Sequence, residues 1–221
     1  MIGDILPPQV AAEEAFGDRP ETVLFPEEEA VIAKAVDKRR REFTTARACA
    51  RAALAKLGVR PVPIVPGVRG APQWPAGVVG SITHCDGYRA CAVARSSDIV
   101  TIGLDAEPHD RLPDGVLGAV SLALERARVT ELRAAVPGVC WDRLLFCVKE
   151  SVYKAWFPLT GRWLGFEEAR VDFHPVSSTF TAQLLVPGPV VNGRPLTGFD
   201  GRWRVSDGLI ATAIVIPRIA E

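Results

Sequence analysis

Strand-forming segments are grouped in this sequence, and each group follows a helical segment. The first helical segment, Pro26 to Leu57, is rich in Ala, Glu, Arg and Lys. Three strand candidates follow it, with short turns such as Cys85-Asp86-Gly87 between them: 78–84, 88–96 and 98–107. Such short turns favour an antiparallel meander. Strands that are grouped, and do not alternate with helices, predict an α+β fold and exclude a doubly wound sheet.

The later part of the chain repeats this order. Beyond Pro113 come helical and then strand segments: 121–135, 141–157, 169–174, 179–186 and a hairpin over 202–216 with Asp207-Gly208 as its turn. The repetition divides the chain near residues 105 to 115. We therefore expect an N-terminal subdomain over residues 1–105 and a C-terminal subdomain over residues 106–221.

The pattern leaves open whether residues 26–57 form one long helix or two. In the second case the basic run at 38–41 closes the first helix, and Thr44 or Thr45 caps the second. The choice decides which arginines share a face. A basic run at a helix end is either an anion site or a solvated C-terminus favoured by the helix dipole.

Composition limits the classes of partner. The 221 residues include 26 basic and 26 acidic side chains, so no overall charge attracts the chain to nucleic acid or to an anionic membrane. The five cysteines show no zinc-site spacing, which predicts free thiols. We find neither a secretory signal pattern nor eighteen consecutive apolar residues, and we expect a cytoplasmic protein.

Acidic residues end the third strand candidate. Asp105 and Glu107 are two residues apart, so on an extended chain their carboxylates share a face and repel each other unless a cation lies between them. On the helix over 141–157, Glu150 and Lys154 lie opposite the apolar stripe. They form either an ordinary solvent-side ion pair or one wall of a cleft in which three carboxylates bind Mg²⁺.

Two motifs together resemble the signature of the 4'-phosphopantetheinyl transferases. "IGLDAE" matches G-[IV]-D-x-E, and "FCVKESVYK", which ends at Lys154, matches [FW]-[STC]-x-K-E-[AS]-x-x-K. The chain looks most like the larger single-chain branch of surfactin-type and enterobactin-type enzymes. "SITHCDGYRA" resembles the S-H-[SC]-x-G segment of that branch, and "DAEPHD" is similar to actinobacterial members.

The resemblance implies an enzyme that transfers the phosphopantetheine arm of coenzyme A to a serine of an apo acyl or peptidyl carrier protein, releasing 3',5'-ADP. It implies a Mg²⁺ ion held by Asp105, Glu107 and Glu150, with Glu150 also a candidate base for the serine proton. The implied architecture is two similar α+β subdomains related by a pseudo-two-fold axis, in a monomer. The alternatives are a non-catalytic module that binds coenzyme A or a carrier, and another Mg²⁺-dependent phosphohydrolase.

The same resemblance implies which side chains contact coenzyme A. They are Arg39, Arg47, Arg69, Thr83, His84, Lys149 and Lys154, of which Lys154 also steadies the leaving phosphate. Two departures from the pattern concern this site. A G-K-P element of many relatives is Gly70-Ala71-Pro72 here, so Arg69 is the expected substitute, and Cys85 replaces a serine that often follows the histidine.

Overall fold

The computed structural model describes residues 1–219, which form five α-helices and ten β-strands. The helices are α1 (Pro26–Ile32), α2 (Asp37–Lys56), α3 (Val116–Val120), α4 (Ala123–Ala135) and α5 (Trp141–Thr160). The strands are β1 (Ala11–Phe16), β2 (Val78–Cys85), β3 (Tyr88–Arg95), β4 (Ile99–Pro108), β5 (Ala169–His174), β6 (Thr179–Leu184), β7 (Val190–Val191), β8 (Arg194–Pro195), β9 (Gly198–Ser206) and β10 (Leu209–Pro217). Helices packed on small antiparallel sheets confirm the α+β prediction.

The strands form a three-stranded sheet in the order β1-β3-β2, a five-stranded sheet in the order β4-β10-β9-β6-β5 and a two-stranded sheet of β7 and β8. The β2–β3 hairpin was predicted, but the meander was wrong for β4. That strand pairs with β10, from Leu209 opposite Pro108 to Ile216 opposite Thr101. The reason is β1, which the residue pattern does not predict and which fills the second edge of β3. The expected subdomain boundary at residue 105 falls inside β4.

The strands β2 and β4 belong to different sheets, and side-chain hydrogen bonds connect them. The Ser81 hydroxyl accepts the Leu104 N–H at 3.1 Å, and the Thr83 hydroxyl accepts the Ala106 N–H at 3.0 Å. Both contacts span 23 residues of sequence. A constant offset means that β2 and β4 run in the same direction, so their carboxyl ends meet. A crevice at the carboxyl ends of parallel strands is a common place for a ligand site.

Helix α5 lies directly against β4. A Cβ atom added at Gly103 would stand 2.0 Å from the backbone oxygen of Ser151. The buried face of α5 joins one apolar core with the five-stranded sheet, where Trp141 packs edge-on against Phe173 and Trp203 at centroid distances of 5.4 and 5.5 Å. This close packing sets the height of the polar face of α5 above the end of β4.

Residues 26–57 form two helices, and the basic run lies in the first turns of α2. The expectation that this run closes α1, and that Thr44 or Thr45 caps the next helix, was wrong. Arg40 explains the difference, because its guanidinium donates back to the Ile32 carbonyl at 2.7 Å and thereby caps α1 from the following helix. Its neighbours on the run therefore project from the amino-terminal end of α2.

Two further sequence expectations concern the cysteines and the membrane. Cys49, Cys85, Cys91, Cys140 and Cys147 are all free thiols. Within residues 1–219, the helices lack the combination of length and apolar character that crossing a membrane requires.

Candidate active site

Asp105 lies at the centre of the crevice between β2, β4 and α5, with 5% of its surface exposed. Its Oδ1 atom accepts hydrogen bonds from the Thr83 hydroxyl at 3.1 Å and from the Lys154 ammonium at 2.7 Å. Its Oδ2 atom is buried and has no hydrogen-bond partner in the described part of the chain. A buried carboxylate oxygen without a donor is costly, and it is the kind of atom that a cation satisfies.

Glu107 lies two residues after Asp105 on the same face of β4. Asp105, Glu107 and Glu150 of α5 together are the acidic cluster of the site. Its Oε2 atom accepts a hydrogen bond from Arg143 of α5 at 3.0 Å. Burial, and then the charge of Asp105, raise the pKa of Glu107 to about 6, although Arg143 opposes the shift. The Glu107 carboxyl is therefore mostly ionised at pH 7 and gains a proton as the pH falls through about 6.

Glu150 faces the cluster from α5. Burial and then the charge of Asp105 raise its pKa. For Lys154, burial opposes the charged form, but Asp105 and Glu150 outweigh it and the net effect raises the pKa of the ammonium. Because Lys154 pairs with Asp105 on another element, the interpretation of Glu150 and Lys154 as an ordinary solvent-side pair was wrong.

The donor set of this cluster fits a hard divalent cation. Carboxylate oxygens are the ligands that Mg²⁺ prefers, and the unpartnered Oδ2 atom of Asp105 offers one of them. Yet no set of three or more His, Cys, Asp or Glu side chains within residues 1–219 is arranged to hold a metal ion. In the structure Lys154 pairs with Asp105 at 2.7 Å, and Arg143 pairs with Glu107 at 3.0 Å.

Three basic side chains lie beside the acidic cluster and form the basic group of the site: Arg39, Arg47 and His84. His84 lies one residue before the end of β2, and its Nε2 atom is 2.7 Å from a terminal nitrogen of Arg39 on α2. Because the guanidinium can only donate, this ring nitrogen is the acceptor of a neutral imidazole. Removal from water, followed by the charges of Arg39 and Lys154, lowers the pKa of His84 to about 4. Arg39 and His84 thus meet at the site, as the resemblance implies.

Arg47 is the buried member of the basic group, with 7% of its surface exposed. Its Nε atom donates to the Ile64 carbonyl at 2.8 Å, and its guanidinium stacks on the Phe43 ring at 3.8 Å from the centroid. Burial lowers its pKa to about 10, which leaves it a cation at neutral pH. Within residues 1–219 neither terminal nitrogen has a hydrogen-bond partner, so both can bind an anion.

Arg69, Thr83 and Lys149 have different surroundings from one another. Arg69 is exposed on the loop before β2, and its guanidinium lies 5.1 Å from the Trp163 ring centroid. Thr83 is 1% exposed, and its single hydroxyl proton goes to Asp105. The hydroxyl of Thr83 therefore positions Asp105, and the expected contact of Thr83 with coenzyme A stays a prediction.

The expected contact of Lys149 with phosphate also stays a prediction, and in the structure its ammonium binds protein groups. Its ammonium pairs with Glu125 at 2.8 Å and donates to the Phe166 and Ala169 carbonyls. An ammonium has three donors, and all three bind protein acceptors. Lys149 is adjacent to Glu150 in sequence, so on α5 it points about 100° away from Glu150. Its role in the structure is to join α5 to α4 and β5.

Replacing Lys149 with methionine should therefore destabilise the fold by about 3 to 5 kcal/mol, because the Glu125 charge would be left buried and unpaired. The measurement is urea unfolding followed by circular dichroism. In the double variant Lys149→Met/Glu125→Gln, much of that loss should be recovered, since no uncompensated charge remains. A single-variant loss below about 1 kcal/mol would contradict the structural role.

A pocket of about 210 Å³ opens beside Glu150. Its other lining side chains are mostly apolar or aromatic and include Tyr153, Trp163, Leu164 and Phe166. The Tyr153 hydroxyl is buried and has no hydrogen-bond partner in the described chain. The pocket thus combines apolar walls with a free polar atom, which suits a slender amphipathic ligand group.

The motif positions omit two residues that the geometry places at the site. Arg143 binds Glu107, and its position seven residues before Glu150 on α5 puts both on one helix face, a signal that the sequence contains. Trp163 lies beyond the end of α5 and reaches the pocket only through the turn at Gly161, so no local pattern marks it.

Comparisons with known proteins cover both halves of the site. One family model, the 4'-phosphopantetheinyl transferase N-terminal domain, matches residues 27–94, and a second, the 4'-phosphopantetheinyl transferase superfamily, matches residues 101–191. The first match contains Arg39, Arg47 and His84, and the second contains the acidic cluster and Lys154.

Three similar proteins are 4'-phosphopantetheinyl transferases of actinobacteria. Identity is 57% to Svp of Streptomyces mobaraensis over 219 residues, covering 98% of this chain and 89% of that protein. It is 49% to PptT of Mycobacterium tuberculosis, covering 98% of each chain, and 53% to Npt of Nocardia iowensis, covering 97% of this chain and 99% of that protein. With both family models matched and this identity along nearly its whole length, the chain belongs to the 4'-phosphopantetheinyl transferase family.

Proposed function

We propose that this enzyme transfers the 4'-phosphopantetheine arm of coenzyme A to a serine of an apo acyl or peptidyl carrier protein, leaving 3',5'-ADP. The observation that carries the proposal is the meeting of the acidic cluster, formed by Asp105, Glu107 and Glu150, with Lys154 and the basic group. An anionic donor substrate and a hydroxyl acceptor need both kinds of charge in one crevice.

The three carboxylates of the acidic cluster are the residues that would hold Mg²⁺. A bound Mg²⁺ supplies charge neutralisation to a pyrophosphate under attack. The raised pKa of Glu150 suits it to accept the serine proton, a contribution of about 10² to 10⁴ in rate. Lys154 steadies the negative charge that develops on the leaving phosphate. Arg143 and Thr83 keep Glu107 and Asp105 in place.

Coenzyme A carries several phosphate charges, whereas the whole chain has no net charge. Arg39, Arg47 and His84 form the local basic surface that binds those phosphates, and Arg69 joins them at the rim of the crevice. The pantetheine arm lies in the pocket lined by Tyr153 and Trp163, because this pocket is apolar and adjoins Glu150.

The division into two subdomains follows the same distribution of charge. The N-terminal subdomain contributes the basic group, and the C-terminal subdomain contributes Glu150 and Lys154. The pairing of β4 with β10 favours moving the boundary from residue 105 to the start of β4. One chain supplies both sides of the crevice, which supports a monomer of the larger single-chain branch, with subdomains related by a pseudo-two-fold axis. A cytoplasmic location is part of the same proposal.

Intact-protein mass spectrometry tests the function directly. The enzyme is incubated with coenzyme A, Mg²⁺ and a panel of apo carrier domains from fatty acid, polyketide and nonribosomal peptide systems. We expect a phosphopantetheine adduct on at least one carrier, and none when its acceptor serine is alanine. Coenzyme A binding without an adduct on any carrier would favour a binding module. Release of 3',5'-ADP without a carrier would indicate a phosphohydrolase.

The affinity of the acidic cluster for a divalent cation should fall as the pH decreases from about 7.5 to about 5. The pKa of Glu107 is raised to about 6, so this carboxyl gains a proton in this range, and the raised pKa of Glu150 acts in the same direction. Protonated carboxyl groups do not bind cations. Mn²⁺ titrations followed by electron paramagnetic resonance would measure the change. An affinity that is constant over this range would argue against the cluster as the ligand set.

A further inference from the structure

Glu28 is completely buried, and the reaction proposed above does not use it. One carboxylate oxygen accepts the Phe25 N–H at 3.0 Å and the Arg51 guanidinium at 2.8 Å. The other accepts the Ile64 N–H at 2.9 Å. The side chain therefore ties together the start of α1, the middle of α2 and the extended segment before β2. A buried charge with three donors is expensive to break and fixes its partners closely.

Ile64 links Glu28 to the coenzyme A site. The residue lies in irregular chain, where no strand partner fixes its peptide groups. Its N–H is held by Glu28, and its carbonyl accepts the Nε atom of Arg47 at 2.8 Å. The side chain is fully buried in the core beneath α2, so the residue cannot shift freely. The contact with Glu28 and the burial of the side chain together fix the position of this carbonyl.

Arg47 is buried, and two contacts of its guanidinium are specific. Besides the Ile64 carbonyl, it stacks on the Phe43 ring, which fixes the plane of the guanidinium but not the direction of its nitrogens within that plane. The charge of Glu28 acts on Arg47 only from a distance. Its carboxylate binds Arg51 and Ile64 instead. The hydrogen bond to the Ile64 carbonyl therefore sets the direction in which the two terminal nitrogens of Arg47 point.

We propose that Glu28 is a positioning residue for coenzyme A binding, because it fixes the Ile64 carbonyl that orients the Arg47 guanidinium toward a phosphate. The inference rests on the proposed function, in which Arg47 is a phosphate ligand. The competing interpretation is that Glu28 only holds α1 against α2 through Arg51. A positioning residue lowers the free-energy cost of ordering the side chain that it orients before the ligand binds. Its effect on affinity disappears when that side chain is removed.

A double-mutant cycle on the full chain separates these interpretations. Coenzyme A affinity is measured by calorimetry for the wild type, Glu28→Gln, Arg47→Met and the double variant. We expect Glu28→Gln to weaken binding about tenfold in the wild type and less than about twofold when Arg47 is already methionine. Equal weakening in both backgrounds, or none in the wild type, would overturn the inference.

Further variants test whether a change in coenzyme A affinity is specific to Glu28. Glu27→Gln makes the same chemical change one residue earlier on α1, where the side chain is exposed, and should leave the affinity unchanged. If Glu28→Gln does not fold, Glu28→Asp replaces it, because this change keeps the negative charge but shortens the side chain, so that the contacts with Ile64 and Arg51 cannot both be kept. Wild-type affinity in Arg47→Met would overturn the inference, whereas carrier modification in the mass assay would leave the proposed function standing.

Discussion

Replacing Asp105 with asparagine should reduce the rate of phosphopantetheine transfer by about 10²- to 10³-fold or more, with the fold retained. The change keeps the shape of the side chain and an oxygen that can accept from Thr83. It removes the charge that pairs with Lys154 and the second oxygen that has no protein partner. Initial rates come from the mass shift of a carrier that the wild type modifies.

Two further measurements accompany that rate. Mn²⁺ binding, followed by electron paramagnetic resonance, should weaken in Asp105→Asn, which connects the loss of rate to the cation. The matched control is Asp172→Asn, since Asp172 is exposed on β5 and pairs only with Arg170 at 3.6 Å. Its rate should equal that of the wild type. Near-normal transfer by Asp105→Asn would remove this residue from the proposed site.

The elements that the sequence predicts well are those whose signal is local. The hairpin of β9 and β10 is an example, because Asp207 and Gly208 both adopt positive φ angles, 55° and 72°, between the paired residues Ser206 and Leu209. Such a two-residue turn requires these residue types. The helix α5 is another example, since its apolar stripe covers a buried core and its polar face meets the acids of β4.

What the sequence does not predict depends on partners distant in the chain. Strand β1 has the sequence "AAEEAF", which lacks β-branched residues, and it forms because β3 offers a free edge. The functions of the two lysines of α5 depend on direction. Lys154 points to Asp105 and Lys149 points to Glu125. A motif records their spacing but not which element packs on each side of the helix.

The last prediction concerns the glycine that brings the two halves of the acidic cluster together. Replacing Gly103 with alanine should destabilise the fold by roughly 1 to 3 kcal/mol or more, because the new Cβ atom would lie 2.0 Å from the Ser151 backbone oxygen. Neither backbone can yield easily, so α5 must move outward. A displacement of about 1 Å at a catalytic site costs on the order of 10²-fold in rate.

The rate and the stability of Gly103→Ala should therefore fall together, and added Mg²⁺ should not restore the rate, because Glu150 and Lys154 move away from Asp105 as one helix. Gly118→Ala is the matched control, since no atom lies within 4 Å of the added Cβ in α3. That variant should gain up to about 1 kcal/mol from helix propensity and transfer at the wild-type rate. Wild-type transfer by Gly103→Ala would show that the reaction tolerates a different spacing between α5 and β4.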